Sequence, residues 1–353
     1  MLFSVQRLKR IISFTVFLLI LLPSWSRSDD RAPSSSGTLS LHFENDVLMG
    51  RDRDYTSGMK LNWTSRWIPA PETESDDQDK KDCLATSLNM LPFFNKPGDR
   101  RALSILIGQS IYTPENLRRH DLILDDRPYS GYTYLGFAVH GTARKIMDTV
   151  ELDVGIVGPH SYAEDVQDQF HQWIGSQVPK GWRNQLKDEF ALELIYERKW
   201  RLTASKLGQG FGYDFIPHLG GRVGNVYIYA NTGAELRFGW NPPGDFGTCP
   251  IRPGCESNAA TDMEEDSGRS FGIHAFLSID GRAVLRDIFL DGNTWKESHS
   301  VDKIYFVADI GGGIGISAKW FKLTYGVIYR TKEFKSQSSN GHFFGTLLIT
   351  FFL

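Results

Sequence analysis

Apolar and polar residues alternate with a period of two along much of the chain. The pattern is plain in residues 39–44, 59–64 and 321–327, where every second side chain is apolar. A period of two with one apolar face is the signature of a β-strand. In a soluble sandwich the polar face meets solvent, whereas in an outer-membrane barrel it lines the lumen and the apolar face meets lipid.

We count about twelve such segments, an even number, as in bacterial outer-membrane barrels. In the last segment Leu347, Ile349, Phe351 and Leu353 share one register and would face lipid, which argues against a secreted soluble β-sandwich. The predicted fold class is all-β, an antiparallel transmembrane β-barrel. Its strands are expected to start near Thr38, Thr56, Ala102, Gly131, Ile146, Glu189, Phe211, Val226, Ser270, Lys303, Lys319 and Phe343.

One segment has a helical period instead. Between residues 161 and 174 the apolar residues Ala163, Val166, Phe170 and Ile174 fall on one stripe. A helix with a single apolar stripe needs an apolar surface to pack against. We therefore expect a short helix in an extracellular loop, packed against the rim of the barrel.

The order of the strands places three polar segments at one end of the barrel. If the first strand runs outward from the periplasm, the connections 45–56, 111–129 and 158–182 all lie at the outer end. The inward connection at residues 141–144 is short, as periplasmic turns are in such barrels. The helix and the polar segments are therefore expected to meet at the extracellular mouth.

The N-terminus has the pattern of a secretory signal peptide. Arg7, Lys9 and Arg10 precede an apolar run over residues 11–22, which is shorter than the roughly 20 residues of a membrane-spanning helix. We expect the signal peptide to comprise residues 1–28 and the barrel domain residues 29–353. Within that domain, residues 69–100 are long and partly acidic, and they are expected to form a surface insertion.

Charge and cysteine content give further information on the partners and the cellular compartment of the protein. The formal net charge of −3 argues against a nucleic-acid partner. Cys249 and Cys255 flank a loop and are candidates for a disulfide in an oxidising compartment, with metal binding as the alternative, while Cys83 is left without a partner.

Oxygen ligands occur together at the end of the first predicted strand. Glu44, Asn45 and Asp46 supply the hard oxygen atoms that calcium prefers. Asn45 has the same strand parity as Phe43, so its side chain should point outward, toward lipid. The alternative is a polar strand end at the level of the lipid headgroups.

His171 is the candidate general base. It follows Gln167 by four residues, so both side chains lie on the same flank of the predicted helix. A neutral imidazole near pH 7 suits proton transfer. The alternative is a solvated histidine with no role.

Three more residues are candidates on the same end of the barrel. Thr56 supplies a hydroxyl that is a candidate nucleophile, calcium ligand or substrate ligand. The alternative is a strand residue with no role. Arg118 and Arg119 place positive charge there and are candidates for contacting phosphate groups of a substrate.

At this point the chain resembles a known family, the outer-membrane lipid A 3'-O-deacylases. The resemblance extends over nearly the whole mature chain and rests on the order and spacing of several short motifs. They are Phe43-Glu44-Asn45-Asp46, Asp52 to Gly58, Gln109 to Pro114, Asp126-Arg127-Pro128-Tyr129, Gly155 to Pro159, Val166-Gln167 with His171, Gly181-Trp182 with Gln185, and Leu290 to Thr294.

The resemblance implies a twelve-stranded barrel with its active site between the wall and an extracellular-loop helix. By position, the family's Asn-Asp pair falls on Asn45 and Asp46, its hydroxyl residue on Thr56, its catalytic histidine on His171 and a basic substrate contact near Arg119. An acidic residue of the family, implied to contact the metal, is replaced here by Gln177.

The expected function is that of a calcium-dependent esterase that removes the 3'-linked acyloxyacyl group of lipid A. His171 would activate water, and Ca²⁺ near Asn45 and Asp46 would stabilise the oxyanion. Gln167, Arg118 and Arg119 would bind lipopolysaccharide, and the protein would act as a monomer in the bacterial outer membrane. The alternative is a barrel without enzymatic activity, either a pore or a lipopolysaccharide-binding protein.

Overall fold

Twelve antiparallel strands form a closed barrel in the computed structural model, which describes residues 37–46, 54–70, 98–248 and 271–353. Each strand pairs with its neighbour in the chain, and the last strand pairs with the first. The strands are β1 (Gly37–Asn45), β2 (Asp54–Ser65), β3 (Arg100–Thr113), β4 (Ser130–Ala143), β5 (Ile146–Val157), β6 (Glu189–Trp200), β7 (Phe211–Gly224), β8 (Tyr227–Trp240), β9 (Phe271–Asp287), β10 (Phe306–Ala318), β11 (Phe321–Thr331) and β12 (Gly341–Phe352).

Two short strands extend this barrel without adding to its circumference. Ile68–Pro69 pairs with β3, and Thr203–Gly208 pairs with β7. In the described residues two α-helices interrupt the strands, α1 (Ala163–Ile174) and α2 (Ile288–Asp291). No helix among the described residues is long and apolar enough to cross a membrane.

The predicted fold class and strand number are confirmed. The expected starts at Ile146, Glu189 and Phe211 coincide with those of β5, β6 and β7. The largest difference is at β10, which was expected near Lys303 and begins at Phe306. Lys303 forms a separate bridge with a residue of the loop before β12, so regular pairing with β9 starts only after it.

The two faces of the strands differ in polarity and exposure, as the alternating pattern predicts. Outward residues such as Ile107 and Leu277 are 54% and 67% exposed, whereas inward residues of β1 such as Ser40 and His42 are buried. The polar face is therefore the lumen, and the apolar face forms the outer surface of the wall. This arrangement is that of an outer-membrane barrel.

The lumen is blocked at the end that carries α1, called the helix end below. Helix α2 folds inward after β9, and its Phe289 is fully buried. The Phe289 ring stacks on Tyr112 with a centroid distance of 4.2 Å and packs edge-on against Tyr227 at 5.4 Å. The hydroxyls of these two tyrosines are 2.8 Å apart. Aromatic packing and this hydrogen bond hold α2 across the lumen.

A second segment blocks the lumen at the opposite, terminal end, where β1 begins and β12 ends. Residues 243–248 fold back into the barrel. Arg237 is fully buried and binds Asp214 through two hydrogen bonds of 2.8 and 2.6 Å, and it also pairs with Asp245. Lys322 donates to the same Asp245 carboxylate at 2.5 Å. Because buried charges need close partners, these contacts hold the segment in place.

Several sequence predictions lie outside the described residues. These are the signal peptide at residues 1–28, most of the insertion at residues 69–100, and the three cysteines Cys83, Cys249 and Cys255. The described residues beside the insertion, Ala70 and Asp99, are joined by a backbone hydrogen bond of 2.8 Å at the terminal end. The insertion is therefore attached at the end opposite to α1.

The blocked lumen predicts a barrel that does not conduct ions. Reconstituted in a planar lipid bilayer, the protein should give no stable open-channel current, because α2 and residues 243–248 fill both ends of the lumen. A general porin measured in the same bilayer provides the positive control. Discrete, long-lived conductance steps from this protein would contradict the prediction.

Candidate active site

Helix α1 packs on the outer surface of the barrel wall. Its first residue, Ala163, is buried in an apolar cluster with Ile111 of β3, Tyr129 and Trp182. A Cβ atom placed at Gly131 of β4 would overlap the Ala163 side chain, so glycine is what permits the close approach. The expectation that the apolar stripe packs against the barrel is confirmed.

Polar contacts fix the start of α1 against the same two strands. The chain turns at Gly158, which has a φ of 106°, and the carbonyl of Ser161 then accepts hydrogen bonds from the side chains of Gln109 and Thr133, each of 2.8 Å. The helix ends at Gly175, which has a φ of 67°. Both turns therefore depend on left-handed or strained backbone that glycine adopts readily.

His171 lies in the interface between α1 and the wall, called the seam below. Its side chain is 1% exposed, and Nδ1 lies 2.5 Å from the carbonyl oxygen of Gln177. Because a carbonyl oxygen only accepts, Nδ1 carries the proton, and in the neutral ring Nε2 holds the lone pair. The burial of His171 excludes the alternative of a solvated histidine.

Acidic residues of α1 lie near this imidazole. Burial raises the pKa of Asp168, His171 lowers it, and Asp165 raises it, with a net shift upward. Asp168 precedes His171 by three residues, so it lies one turn earlier on the same side of the helix. His171 is thus one of the groups that act on the Asp168 carboxyl.

Gln167 presents a buried donor beside His171. The residue is 2% exposed, and its Oε1 accepts a hydrogen bond of 3.0 Å from the indole N–H of Trp182. An indole nitrogen only donates, so this bond fixes the orientation of the amide. The Gln167 Nε2 group then has no hydrogen-bond partner among the described residues. Trp182 is held in turn by packing on Tyr129, with a ring distance of 5.0 Å.

Asn45 and Asp46 lie at the end of β1, on the side of the barrel that α1 covers. They are 2% and 1% exposed, so the protein itself buries both residues. The ring of Phe43 in the same strand lies 6.2 Å from Phe170, the residue before His171. This ring contact places the strand that carries the predicted Asn-Asp pair beside the helix that carries the imidazole.

A β-bulge determines the position of Thr56. The pairing of β2 with β3 shifts between Tyr55 and Ser57, so that Thr56 is the extra residue. Tyr55 packs in the lumen, whereas the Thr56 hydroxyl lies 2.7 Å from that of Thr113, which has the outward parity of Ile111. The bulge thus brings the Thr56 hydroxyl to the outward side.

The two arginine candidates have different partners. Arg118 donates from Nε to the side-chain oxygen of Gln177 at 2.7 Å, so it is tied to the residue that holds the His171 ring. Arg119 is exposed and pairs with Asp121, and this hydrogen bond lowers the pKa of the Asp121 carboxyl. Substrate binding by either arginine stays a prediction.

Sequence reasoning gave no role to Trp182, Thr113 or the main chain of Gln177. Trp182 stands in one of the motifs that carry the family resemblance, and this was the available signal. Thr113 also stands in one of these motifs, Gln109 to Pro114, but its contact with Thr56 joins residues 57 positions apart in the chain. The contact of the Gln177 carbonyl with His171 depends on the turn after α1, and no pattern in the sequence reports it.

The donor atoms near Asn45 fit calcium by their chemistry. The described residues contain no group of three or more His, Cys, Asp or Glu side chains that could hold a metal ion. The candidate set instead combines the amide oxygen of Asn45 and the carboxylate of Asp46, with the hydroxyl of Thr56 as a further oxygen. Hard oxygen ligands of mixed charge suit Ca²⁺.

Fold and site together define an outer-membrane β-barrel with a candidate active site on the outer surface of its wall. The chain belongs to the LpxR family of outer-membrane proteins, because residues 12–353 match the model described as outer membrane protein LpxR.

Two solved structures are similar to this chain to different degrees. LpxR from Salmonella typhimurium matches with a TM-score of 0.67 and 20% sequence identity, covering 90% of this chain and 100% of that one. The β-domain of the Bordetella autotransporter BrkA matches with a TM-score of 0.44 and 10% identity, covering 91% and 100% of the two chains. No curated protein matches the chain.

The close contact at Gly131 predicts that a larger residue there displaces α1. Gly131→Val should leave the barrel folded, with unchanged heat-modifiable migration in detergent gels, while trypsin cleaves at Lys180 much faster. Limited proteolysis followed by mass spectrometry measures this. Gly281→Val is the matched control, since Gly281 has outward parity and an added Cβ there meets only ordinary contacts. Equal cleavage rates in both variants would contradict the packing argument.

Proposed function

We propose that this protein is a calcium-dependent esterase that removes the 3'-linked acyloxyacyl group of lipid A. The observation that carries the proposal is the buried imidazole of His171, held in one tautomer by the carbonyl of Gln177 at the seam. Membership of the LpxR family supports it. The place of the seam on the outer surface of the wall also supports a lipid substrate, because an acyl chain there stays among the apolar side chains that face the bilayer.

The proposed reaction is a direct hydrolysis. The His171 Nε2 atom takes a proton from water, and the water oxygen bonds to the ester carbonyl carbon. The bond from this carbon to the 3'-oxygen of the sugar then breaks, and the imidazolium returns the proton to that oxygen. The products are a free fatty acid and a free 3'-hydroxyl, so atoms and charges balance.

Other groups at the seam would stabilise the developing negative charge. The Nε2 group of Gln167 is a buried N–H donor whose direction is fixed by Trp182. Asn45 and Asp46 would hold the calcium ion, which when bound supplies positive charge for the carbonyl oxygen. Such preorganised donors contribute about 3–4 kcal/mol each to lowering the barrier.

Thr56 is assigned to polar contacts and not to a covalent step. Its hydroxyl is bonded to the Thr113 hydroxyl, which is not a base able to activate it. A nucleophilic threonine needs a base within hydrogen-bond reach. Water activated by His171 is therefore the simpler nucleophile.

The proposal is tested by mass spectrometry of lipid A incubated with the refolded protein in detergent. The wild-type protein should remove one acyloxyacyl unit with calcium present and lose activity with a chelator. His171→Ala should lower the rate by about 10²–10⁴-fold, the usual effect of losing a general base. His120→Ala is the matched control, because His120 is exposed and only its carbonyl is used in hydrogen bonds.

Three outcomes would contradict parts of the proposal. Unchanged lipid A with all proteins would favour a barrel that binds lipopolysaccharide without hydrolysis. Full activity in His171→Ala would contradict the assignment of His171 as the general base. Full activity in the presence of a chelator would contradict the calcium requirement.

The hydrogen bond from Trp182 to Gln167 predicts a positioning role for the indole. Trp182→Phe keeps most of the packing but lets the Gln167 amide rotate, so kcat should fall by about tenfold, the loss equivalent to about 1.4 kcal/mol of barrier. KM should change little, and the pH profile set by His171 should be unchanged. Trp320→Phe, an exposed tryptophan at the terminal end, is the control. A Trp182→Phe enzyme with wild-type kcat would refute this role.

A further inference from the structure

A cavity lies at the helix end, between the loop after β3 and the loop between β11 and β12. It has a volume of about 690 Å³ and is called the headgroup cleft below. This volume is in the range of small-molecule sites. Its lining includes Glu115, Arg118, Ser176, Gln177, Gln337 and Ser338.

The headgroup cleft contains a buried donor that is not used by the fold. Gln337 is 6% exposed, and its Oε1 accepts a hydrogen bond of 2.8 Å from the backbone N–H of Glu333. A backbone N–H only donates, so the amide orientation is fixed. The Gln337 Nε2 group then has no hydrogen-bond partner among the residues that the structure describes. A buried donor of this kind costs free energy unless a ligand or water accepts from it.

Both arginines of the headgroup cleft bind protein groups, Arg118 through its Nε atom and Arg119 through an ion pair. Arg118 is bonded to Gln177, and Arg119 is paired with Asp121. Phosphate groups are held best by guanidinium groups that are free to bind them through two hydrogen bonds. The cleft also presents more carboxylates than cations, namely those of Glu115, Asp125 and Asp126.

A neutral sugar fits this lining better than a phosphate does. Sugar hydroxyls donate to carboxylates and accept from an amide N–H, and the cleft supplies both kinds of group. The shape of the loop is fixed by Asp126, whose carboxylate accepts from the backbone N–H groups of Glu115 and Arg127 at 2.8 Å each. The acceptors are therefore held in place before a ligand arrives.

The headgroup cleft borders the seam. Gln177 lines the cleft, and its carbonyl oxygen accepts the hydrogen bond of His171. A lipid whose ester lies at the seam would therefore have its polar end beside the cleft.

We propose that the headgroup cleft binds the saccharide part of the lipid substrate through its hydroxyl groups, with Gln337 as a donor, and not through its phosphates. The identity of the lipid rests on the proposed function. Binding itself requires no hydrolysis, so the two proposals can fail separately.

The test measures binding of fully deacylated lipid A backbone, a glucosamine disaccharide without esters, to the refolded full-length barrel in detergent by isothermal titration calorimetry. Gln337→Glu keeps the acceptor for the Glu333 N–H and removes the donor, so Kd should rise about three- to tenfold, the worth of one hydrogen bond. Gln337→Ala should weaken binding as well. Gln209→Glu adds the same charge at an exposed position of the terminal end and should bind as the wild type does.

The disaccharide is used both with and without its phosphates. Equal Kd values within about threefold, a difference of about 0.65 kcal/mol, are expected. Loss of binding on removal of the phosphates would overturn the proposal and identify an arginine-based anion site. Unchanged Kd values in both Gln337 variants would overturn it too.

His171→Ala separates this proposal from the proposed function. The variant should bind the disaccharide with the wild-type Kd, because the His171 side chain does not line the cleft and bonds to the carbonyl of Gln177. Its backbone carbonyl, which accepts from the Ser176 N–H, is unchanged in the variant. Glycan binding without any ester hydrolysis would support the headgroup cleft while refuting the deacylase. Hydrolysis without any glycan binding would refute the headgroup cleft alone. Heat-modifiable migration confirms that each variant is folded.

Discussion

Closure of the barrel is the constraint on which the rest of the structure depends. In a bilayer no water satisfies unpaired backbone groups, so β12 must return to pair with β1 along their whole shared length. Closure places one face of every strand against lipid and encloses the other. The enclosed polar face then needs its own partners, which is why Arg237 is surrounded by carboxylates and why α2 and residues 243–248 fold into the lumen.

Polar groups on the lipid side of such a wall need cover, and α1 provides it. Polar side chains facing hydrocarbon are unfavourable unless something shields and binds them. Asn45 has outward parity yet is 2% exposed, and His171 is 1% exposed. Gly131 permits the helix to approach closely enough to exclude solvent from this interface. The same packing keeps the polar groups of the seam buried beside the apolar side chains that face the bilayer.

Two glutamines show how the fold prepares donors for a ligand. In each, a group that only donates, the indole of Trp182 or the backbone N–H of Glu333, binds the amide oxygen and leaves the N–H₂ group turned away. Gln167 does this at the seam and Gln337 in the headgroup cleft. Gln177 connects the two regions, because its side chain binds Arg118 and its carbonyl holds His171. Ester chemistry and headgroup recognition would thus share one rigid loop.

The sequence by itself determined the number of strands, most of their starts and the helix after β5. These features follow from local periods, since a side chain's face depends only on its place in a strand or helix. The bulge that turns Thr56 toward Thr113 and the indole that orients Gln167 were decided only by the tertiary structure. The blocked lumen and the headgroup cleft were also decided only by the tertiary structure. Each depends on contacts between loops distant in the chain, which leave no period in the sequence.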